Sequence, residues 1–152
     1  MRVAIWGLTA ALVASIATMG AARTHGGKLG AADQATHWLR DFNGAFNRHD
    51  AAGAAALFTA HADQRVSSGT FLTGRAEIEN FLADLFEIDP RAQQQLSLIS
   101  ARFNGPDLLL AEAAWEITGL SGVRSGFAMY VLRREGQTWL CVAGRSMIPA
   151  KP

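Results

Sequence analysis

A change in hydrophobic spacing at Asp89-Pro90 constrains the fold of this chain more than any other feature. Before it, apolar residues recur mostly every three or four positions, which is the period of an amphipathic helix. After it, apolar runs of strand length alternate with turn signals such as the one at Asn104–Asp107. Because proline lacks an N–H donor and disfavours helical geometry in its predecessor, the last helix must end here. A largely helical part is therefore followed by a part made of strands and turns.

The pattern predicts three helices and six strands in the order α-α-β-β-α-β-β-β-β. Asp33 is the expected N-cap of the first helix, and His49-Asp50 is the expected cap of a second helix that continues to Thr59. We expect an α+β fold in which the helices gather on one face of an antiparallel sheet, and a cavity opens between the two layers if the sheet curls around the helices. Strands are expected over 62–67, 70–72, 95–103, 108–118, 127–133 and 138–147, with a flexible loop over 119–126.

Composition narrows the class of function. The chain has 152 residues, 49% of them hydrophobic, which suits one domain with a packed core. It has 14 basic and 13 acidic side chains, so it lacks the basic surplus of a nucleic-acid binder. The single cysteine, Cys141, cannot form an intramolecular disulfide and lies in a strand pattern that predicts a buried thiol. We find no dinucleotide or phosphate-loop motif, so no cofactor is expected.

The N-terminal segment is typical of a bacterial signal peptide. Arg2 precedes an apolar run from Val3 to Met19, and small residues at Gly20 and Ala22 fit cleavage after Ala22. We expect residues 1–22 to be removed on export to the periplasm or the medium. The remainder is expected to comprise a flexible leader (23–31), a single domain (32–148) and a tail (149–152). The alternative is an uncleaved membrane anchor, since the apolar run nearly spans a bilayer.

Several short motifs resemble one protein family. The stretch Phe42–Asp50 resembles the first-helix signature of SnoaL-like domains in the nuclear-transport-factor-2-like superfamily, and it is closest to the SgcJ/EcaC-type branch. Gly74–Ile78, Gly105–Asp107 and Trp115–Gly119 are similar to further motifs of the family, in the same order. The resemblance covers about residues 34–147 and implies the cone-shaped α+β fold. It does not choose an activity, because the superfamily includes isomerases, cyclases, dehydratases, binding modules and assembly domains.

The resemblance also suggests candidate catalytic residues. Isomerases of the superfamily use a pocket carboxylate to move a proton, and Asp63 is the best candidate here, with Tyr130 or Arg145 as a hydrogen-bond donor. Asp63 and Arg65 lie two apart on a predicted strand, so both point the same way. The alternative is an ion pair on an edge strand.

Aromatic residues are candidates for the cavity wall, although filling the core is the alternative explanation. His61 and Arg65 are expected near the mouth of the cavity. His37, His49 and His61 lack the close spacing of zinc ligands, so no metal is expected. The aromatic candidates are Trp38, Phe42, Phe46, Phe81 and Trp115.

We therefore expect an exported domain that binds a small apolar molecule in its cavity. The alternative is a cofactor-independent isomerase, cyclase or dehydratase that uses a pocket carboxylate, and a third possibility is an assembly or structural domain. Glu112 and Glu116 alternate with the apolar residues of their strand and are expected on the outer sheet face. A homodimer through that face is expected, without nucleic acid, and with a membrane only if the signal segment is retained.

Overall fold

Three helices and six strands follow one another in the predicted order in a computed structural model, which describes residues 29–150. The signal-peptide prediction therefore lies outside the described residues. Within residues 29–150, no helix combines the length and the apolar character that crossing a membrane requires. The helices are α1 (Ala31–Asn47), α2 (Ala51–Ala55) and α3 (Arg75–Ile88). The strands are β1 (Phe58–Arg65), β2 (Phe71–Thr73), β3 (Gln93–Phe103), β4 (Leu108–Gly119), β5 (Gly122–Glu135) and β6 (Thr138–Met147).

All six strands form one sheet in the order β2-β1-β6-β5-β4-β3. The α+β prediction is confirmed, but the sheet is mixed: β1 pairs with β6 in parallel, while the other neighbouring strands are antiparallel. The parallel pair arises because α3 and four strands separate β1 from β6 along the chain, so β6 joins β1 by a long crossover. Register shifts in β3 and between Val131 and Leu132 bend the strands. The sheet curls around the helices without closing.

The first helix begins earlier than its sequence predicted. Gly30 is the N-cap, and Asp33 occupies the third helical position, where its Oδ2 accepts a hydrogen bond of 3.2 Å from the Gly30 N–H. An acidic side chain in the first turn also interacts favourably with the positive end of the helix dipole. Asp33 therefore stabilises the helix start without being the cap. Its buried face consists of Ala35, Trp38, Leu39, Phe42, Ala45 and Phe46.

The second helix is shorter than predicted. Asp50 caps it as expected, because its Oδ1 accepts a 2.8 Å hydrogen bond from the N–H of Gly53. The helix ends at residue 55, not at 59, and Phe58 opens β1. The carbonyl of Leu57 accepts a 2.9 Å hydrogen bond from the N–H of Cys141 on β6, so sheet pairing replaces a further helical turn.

The two faces of the central strand β4 differ as predicted. Leu109, Ala111 and Ala113 are fully buried on the concave face, toward the helices. Glu112 and Glu116 are exposed on the opposite face, which we call the outer face. The structure therefore confirms the predicted position of both carboxylates.

The predicted loop over 119–126 is wrong, because β5 begins at Gly122. Two residues connect β4 to β5, and the N–H of the first, Leu120, donates a 2.9 Å hydrogen bond to Oδ2 of Asp89. Asp89 is buried at the end of α3, and its Oδ1 also accepts from the Arg91 N–H. This long-range contact holds the turn and allows the glycine-rich segment to pair as strand.

Candidate functional site

A cavity of about 210 Å³ lies between the concave face of the sheet and helices α1 and α3. Its wall is mostly apolar, and the β1–β2 turn around Val66 forms part of it. Apolar side chains come from both helices and from β4, among them Phe42, Phe46, Ile78, Phe81, Leu82 and Trp115. The polar lining residues are Gln64, Ser67, Ser68, Gln94, Arg124, Tyr130 and Ser146.

Three neighbouring strands place Gln64, Gly144 and Tyr130 in one row across the concave face. Gln64 on β1 is the register partner of Gly144 on β6, and Gly144 is the partner of Tyr130 on β5. Gly144 leaves space in the middle of the row. A Cβ atom at this position would overlap Oε1 of Gln64, so the glycine is what permits the glutamine to lie there.

Gln64 is the most unusual polar residue of this wall. It is only 7% exposed, and its Oε1 is buried without a hydrogen-bond partner among the described residues. An unpaired buried polar group costs about 1–3 kcal/mol, because the hydrogen bond to water in the unfolded chain is not replaced. The cavity therefore holds an amide whose hydrogen-bonding capacity the protein itself does not use.

Tyr130 supplies a second polar group. It is 3% exposed, and its ring lies 4.8 Å from that of Trp38, measured between centroids. Burial raises the pKa of the Tyr130 hydroxyl far above its ordinary value, and the nearby Cys141 thiol raises it further. The hydroxyl stays protonated, so it can donate a hydrogen bond but cannot act as a base. Burial also raises the pKa of Cys141, which fits the predicted inert thiol.

The structure places part of the predicted wall at the cavity. Four of the predicted wall residues line it, namely Phe42, Phe46, Phe81 and Trp115, and so does Tyr130, the candidate hydrogen-bond donor.

Three other predicted wall residues do not line the cavity. Trp38 lies behind the wall, stacked on Phe42 at 5.3 Å between ring centroids, with its Nε1 donating to the carbonyl of Leu57. His61 is exposed, and it lies where the register between β1 and β6 shifts, between Phe58 and Asp63. Arg65 is also exposed, and its guanidinium carbon lies 4.9 Å from the centroid of the Phe71 ring on the outer face.

Asp63 and Arg145, the proposed base and donor, meet on the outer face rather than in the cavity. Oδ1 of Asp63 contacts Nη1 of Arg145, and both side chains are more than a third exposed. Arg65 does not pair with Asp63, although the two point the same way. Because Asp63 is held by an arginine away from the cavity and from Tyr130, the geometry does not fit a cavity base, and this assignment is corrected.

Sequence reasoning missed Gln64, although a signal for it existed. Side chains alternate along a strand, so Gln64 must face the same side as Ala62, which is fully buried. Asp63 must then face outward. The small apolar residue at 62 indicates which side of β1 faces the helices. The prediction instead followed the charged residues at 63 and 65, which lie on the outer side.

The lining contains no carboxylate, imidazole or thiol among residues 29–150. A general base that works near neutral pH normally comes from one of these groups. In the same part of the chain, no three histidine, cysteine, aspartate or glutamate side chains cluster as metal ligands would. The described wall can therefore pack against a ligand and hydrogen-bond it, but it offers no group to take a proton from it.

The outer face carries a second apolar surface. Ile99, Phe127 and Met147 are 54%, 48% and 51% exposed, and with Met129 they surround a groove of about 240 Å³. We call these four residues the outer patch. Glu112 borders it and accepts a 3.0 Å hydrogen bond from the Ser100 hydroxyl.

The chain matches a known protein family. A family model described as a SnoaL-like domain matches residues 39–140, which is more than half of the chain and includes most of the cavity wall. No curated protein matches the chain.

Solved structures with the same fold include three bacterial proteins. A domain of unknown function with a cystatin-like fold from Nostoc punctiforme is 23% identical with a TM-score of 0.68, covering 79% of this chain and 76% of that one. An uncharacterised cystatin-like protein from Caulobacter vibrioides is 16% identical with a TM-score of 0.70, covering 79% and 90%. An NTF-2 like protein of unknown function from Shewanella oneidensis is 15% identical with a TM-score of 0.64, covering 76% and 98%. At these identities the likeness shows the fold alone.

Proposed function

The chain belongs to the SnoaL-like domain family, and we propose that it binds a small, mostly apolar molecule in the cavity of its curled sheet. The observation that carries this proposal is the hollow of about 210 Å³ between the concave face and the helices, walled by apolar side chains with few polar groups. This composition is typical of small-molecule sites. The volume lies below the range of about 300–1,000 Å³ for drug-sized ligands, which favours a molecule of one or two rings.

The side chains of the cavity wall suit ligand binding better than they suit proton transfer. A proton-transfer enzyme of this kind needs a base in contact with the substrate. Asp63 is paired with Arg145 on the outer face, and Tyr130 stays protonated because burial raises its pKa. We therefore propose a binding protein rather than an isomerase or dehydratase that works through a carboxylate in this cavity.

Ligand-dependent thermal stability tests the proposal. We expect naphthalene or 2-naphthol, present at many times its dissociation constant, to raise the melting temperature, because a ligand that binds only the folded state stabilises it by about 2.7 kcal/mol at 100 times that constant. Val66→Trp, which places a larger side chain in the cavity wall, is expected to abolish the shift.

Val131→Trp is the matched control, because it places the same bulk on the outer face of β5. It should leave the ligand-induced shift intact. If Val66→Trp responds to ligand as the parent protein does, or if no one- or two-ring compound shifts the parent, the cavity is not a binding site.

We further propose that two copies associate through the outer patch. About half of the surface of Ile99, Phe127 and Met147 is exposed, and exposed apolar patches mark interaction sites. The same face carries Glu112 toward one side and Arg145 toward the other. A two-fold contact would bring the carboxylate of one copy toward the arginine of the other.

Sedimentation velocity tests this association. We expect a dimer at micromolar concentration, and a monomer for Phe127→Glu, because a charge in the middle of an apolar contact is costly to bury. A monomeric parent protein at that concentration would reject the homodimer.

Two finer assignments are also proposals. The motif Phe42–Asp50 supports a place in the SgcJ/EcaC-type branch of the family. The apolar run Val3–Met19 after Arg2 supports export to the periplasm or the medium, with cleavage after Ala22. N-terminal sequencing of the protein secreted by a bacterial host should begin at Arg23. A mature protein that still begins at Met1 would contradict cleavage.

A further inference from the structure

We infer that the ligand of this cavity is a neutral molecule with a hydroxyl group that hydrogen-bonds the side-chain amide of Gln64. The inference rests on the proposed function and adds to it the chemical class of the ligand. It begins with an amide that is more than nine-tenths buried, lines the cavity, and has an Oε1 with no partner in the described structure. Buried polar groups in folded proteins are almost always hydrogen-bonded, so an exception calls for a partner.

The surroundings of Gln64 keep this amide at the wall. Oε1 lies against the backbone of Gly144, in space that any side chain at position 144 would fill. The Cγ–Cδ bond that carries the amide group rotates broadly, so either the oxygen or the NH₂ group can turn toward the cavity. A hydroxyl can both donate and accept a hydrogen bond, and it therefore pairs with either end of the amide.

A second glutamine shows that the unpaired state is specific to position 64. Gln94 also lines the cavity, but its Nε2 donates a 3.3 Å hydrogen bond to Oδ1 of Asn43 on α1. Its amide already has a protein partner. Of these two wall glutamines, the one on β1 is the group that a ligand would have to satisfy.

Charge on the wall favours a neutral ligand. The lining contains no carboxylate among the described residues, so nothing there would neutralise a cation. Among the described lining residues, Arg124 supplies the guanidinium, and it is an exposed residue at the start of β5. It lies six residues from Tyr130, or about 20 Å along the strand, so an anionic head group bound there would leave the Gln64 amide unpaired.

Three two-ring probes of similar shape test the inference by calorimetry on the full folded domain. These are 2-naphthol, which is neutral with a hydroxyl, naphthalene, which has no polar group, and 2-naphthoate, which is an anion. We expect 2-naphthol to bind about tenfold more tightly than naphthalene, which corresponds to one hydrogen bond of about 1.4 kcal/mol. We expect 2-naphthoate to bind more weakly than 2-naphthol.

Gln64→Met keeps the length of the side chain and removes the amide. It should lower the affinity for 2-naphthol about tenfold and leave the affinity for naphthalene unchanged. Gln94→Met is the matched control and should leave the tenfold preference intact, because its amide is already paired. Circular dichroism of both variants verifies that the fold is retained.

The outcomes separate the inference from the proposed function. Equal affinity for 2-naphthol and naphthalene, or a preference that survives in Gln64→Met, would overturn the inference while leaving a binding cavity. Tightest binding of 2-naphthoate would overturn it in favour of an anion site at Arg124. If none of the three probes binds, the proposed function fails, and the inference fails with it.

Discussion

Gln64 and Asp63 are neighbours on β1, yet their side chains lie on opposite faces of the sheet. They also differ in charge and in burial. Gln64 is neutral and buried against Gly144, and its Oε1 lacks a hydrogen-bond partner within the described part of the chain. Asp63 is charged, more than a third exposed and paired with Arg145. Asp63 therefore has an ionic contact within the protein, whereas the amide oxygen of Gln64 has no partner among residues 29–150. We therefore propose the unpaired amide, and not the charged pair, as the ligand site.

The same contrast extends over the whole sheet. The concave face buries alanines, leucines and aromatic rings against the helices and leaves a hollow between them. The outer face alternates charged residues with the outer patch, which has no cover within the described chain. We therefore expect substitutions on the concave face to change stability and ligand binding. Substitutions on the outer face should change association.

The largest loss of stability is expected when an aromatic ring on the concave face is removed. Phe58 is 1% exposed and lies within 6 Å of the rings of Trp38 and Phe42, measured between centroids. Phe58→Ala should reduce the free energy of unfolding by about 3–5 kcal/mol, because it leaves a cavity in the core. Phe127→Ala on the outer face should cost less than about 1 kcal/mol when urea denaturation is extrapolated to low protein concentration. Equal losses of unfolding free energy in the two variants would contradict the proposed difference between the two faces.

Alkaline pH should destabilise the protein through its concave face. Burial raises the pKa of Tyr130 and of Cys141 in the folded state, so both stay protonated where the unfolded chain has lost these protons. Their contribution is complete below the ordinary values of about 8.5 for cysteine and 10 for tyrosine, and it is lost as pH rises above them. Each group contributes a slope of up to about 1.4 kcal/mol per pH unit.

Urea denaturation between pH 8 and pH 11 measures this dependence. Tyr130→Phe should make the decline of stability above pH 10 shallower. The chain has one tyrosine, so tyrosinate absorbance reports on Tyr130 alone. If it ionises near pH 10 while the protein is still folded, the hydroxyl is not buried as described.

Gly144→Ala tests the packing beneath Gln64. A Cβ at this position overlaps Oε1 of Gln64, so the substitution should cost about 1–3 kcal/mol of stability through overpacking. In a Gln64→Ala background, where the amide is absent, most of this cost should disappear. A double-mutant cycle measures the coupling, and additive losses would show that the two residues do not compete for the same space.

The smallest change in stability is expected when the ion pair between Asp63 and Arg145 on the outer face is removed. Asp63→Asn should change the free energy of unfolding by no more than about 1 kcal/mol, because pairs with exposed side chains contribute little. The affinity for 2-naphthol should stay at the parent value. A large loss of affinity would return Asp63 to the ligand site and contradict the position we assign to it.

Local patterns predicted most of the fold and long-range contacts decided the rest. Helical spacing before Pro90 and strand spacing after it gave the order of the elements, and β6 was placed with its observed bounds of Thr138–Met147. The end of α2 was missed because the carbonyl of Leu57 is bonded to β6, far away in sequence. The start of β5 was missed because Asp89 holds its turn. Glycines at 119, 122 and 126 look like a loop when that contact is unknown.

The candidate site was predicted only in part, for a physical reason. Large aromatic residues lie in the core whatever the function, so Phe42, Phe46 and Trp115 were found from their spacing. Asp63 was assigned because a carboxylate can act as a base, without considering on which side of the strand it lies. An unpaired amide has no signature in sequence, because the lack of a partner for Gln64 depends on the parallel pairing of β1 with β6.

Side-chain resonances in a titration with 2-naphthol test the central claim most directly, since they report on both faces at once. The NH₂ signals of Gln64, assigned by comparison with Gln64→Met, should shift and saturate with the calorimetric affinity. The methyl signals of Met129 and Met147 on the outer face should stay where they are. Unmoved Gln64 signals together with shifted methionine methyls would place the ligand on the outer face and contradict the account.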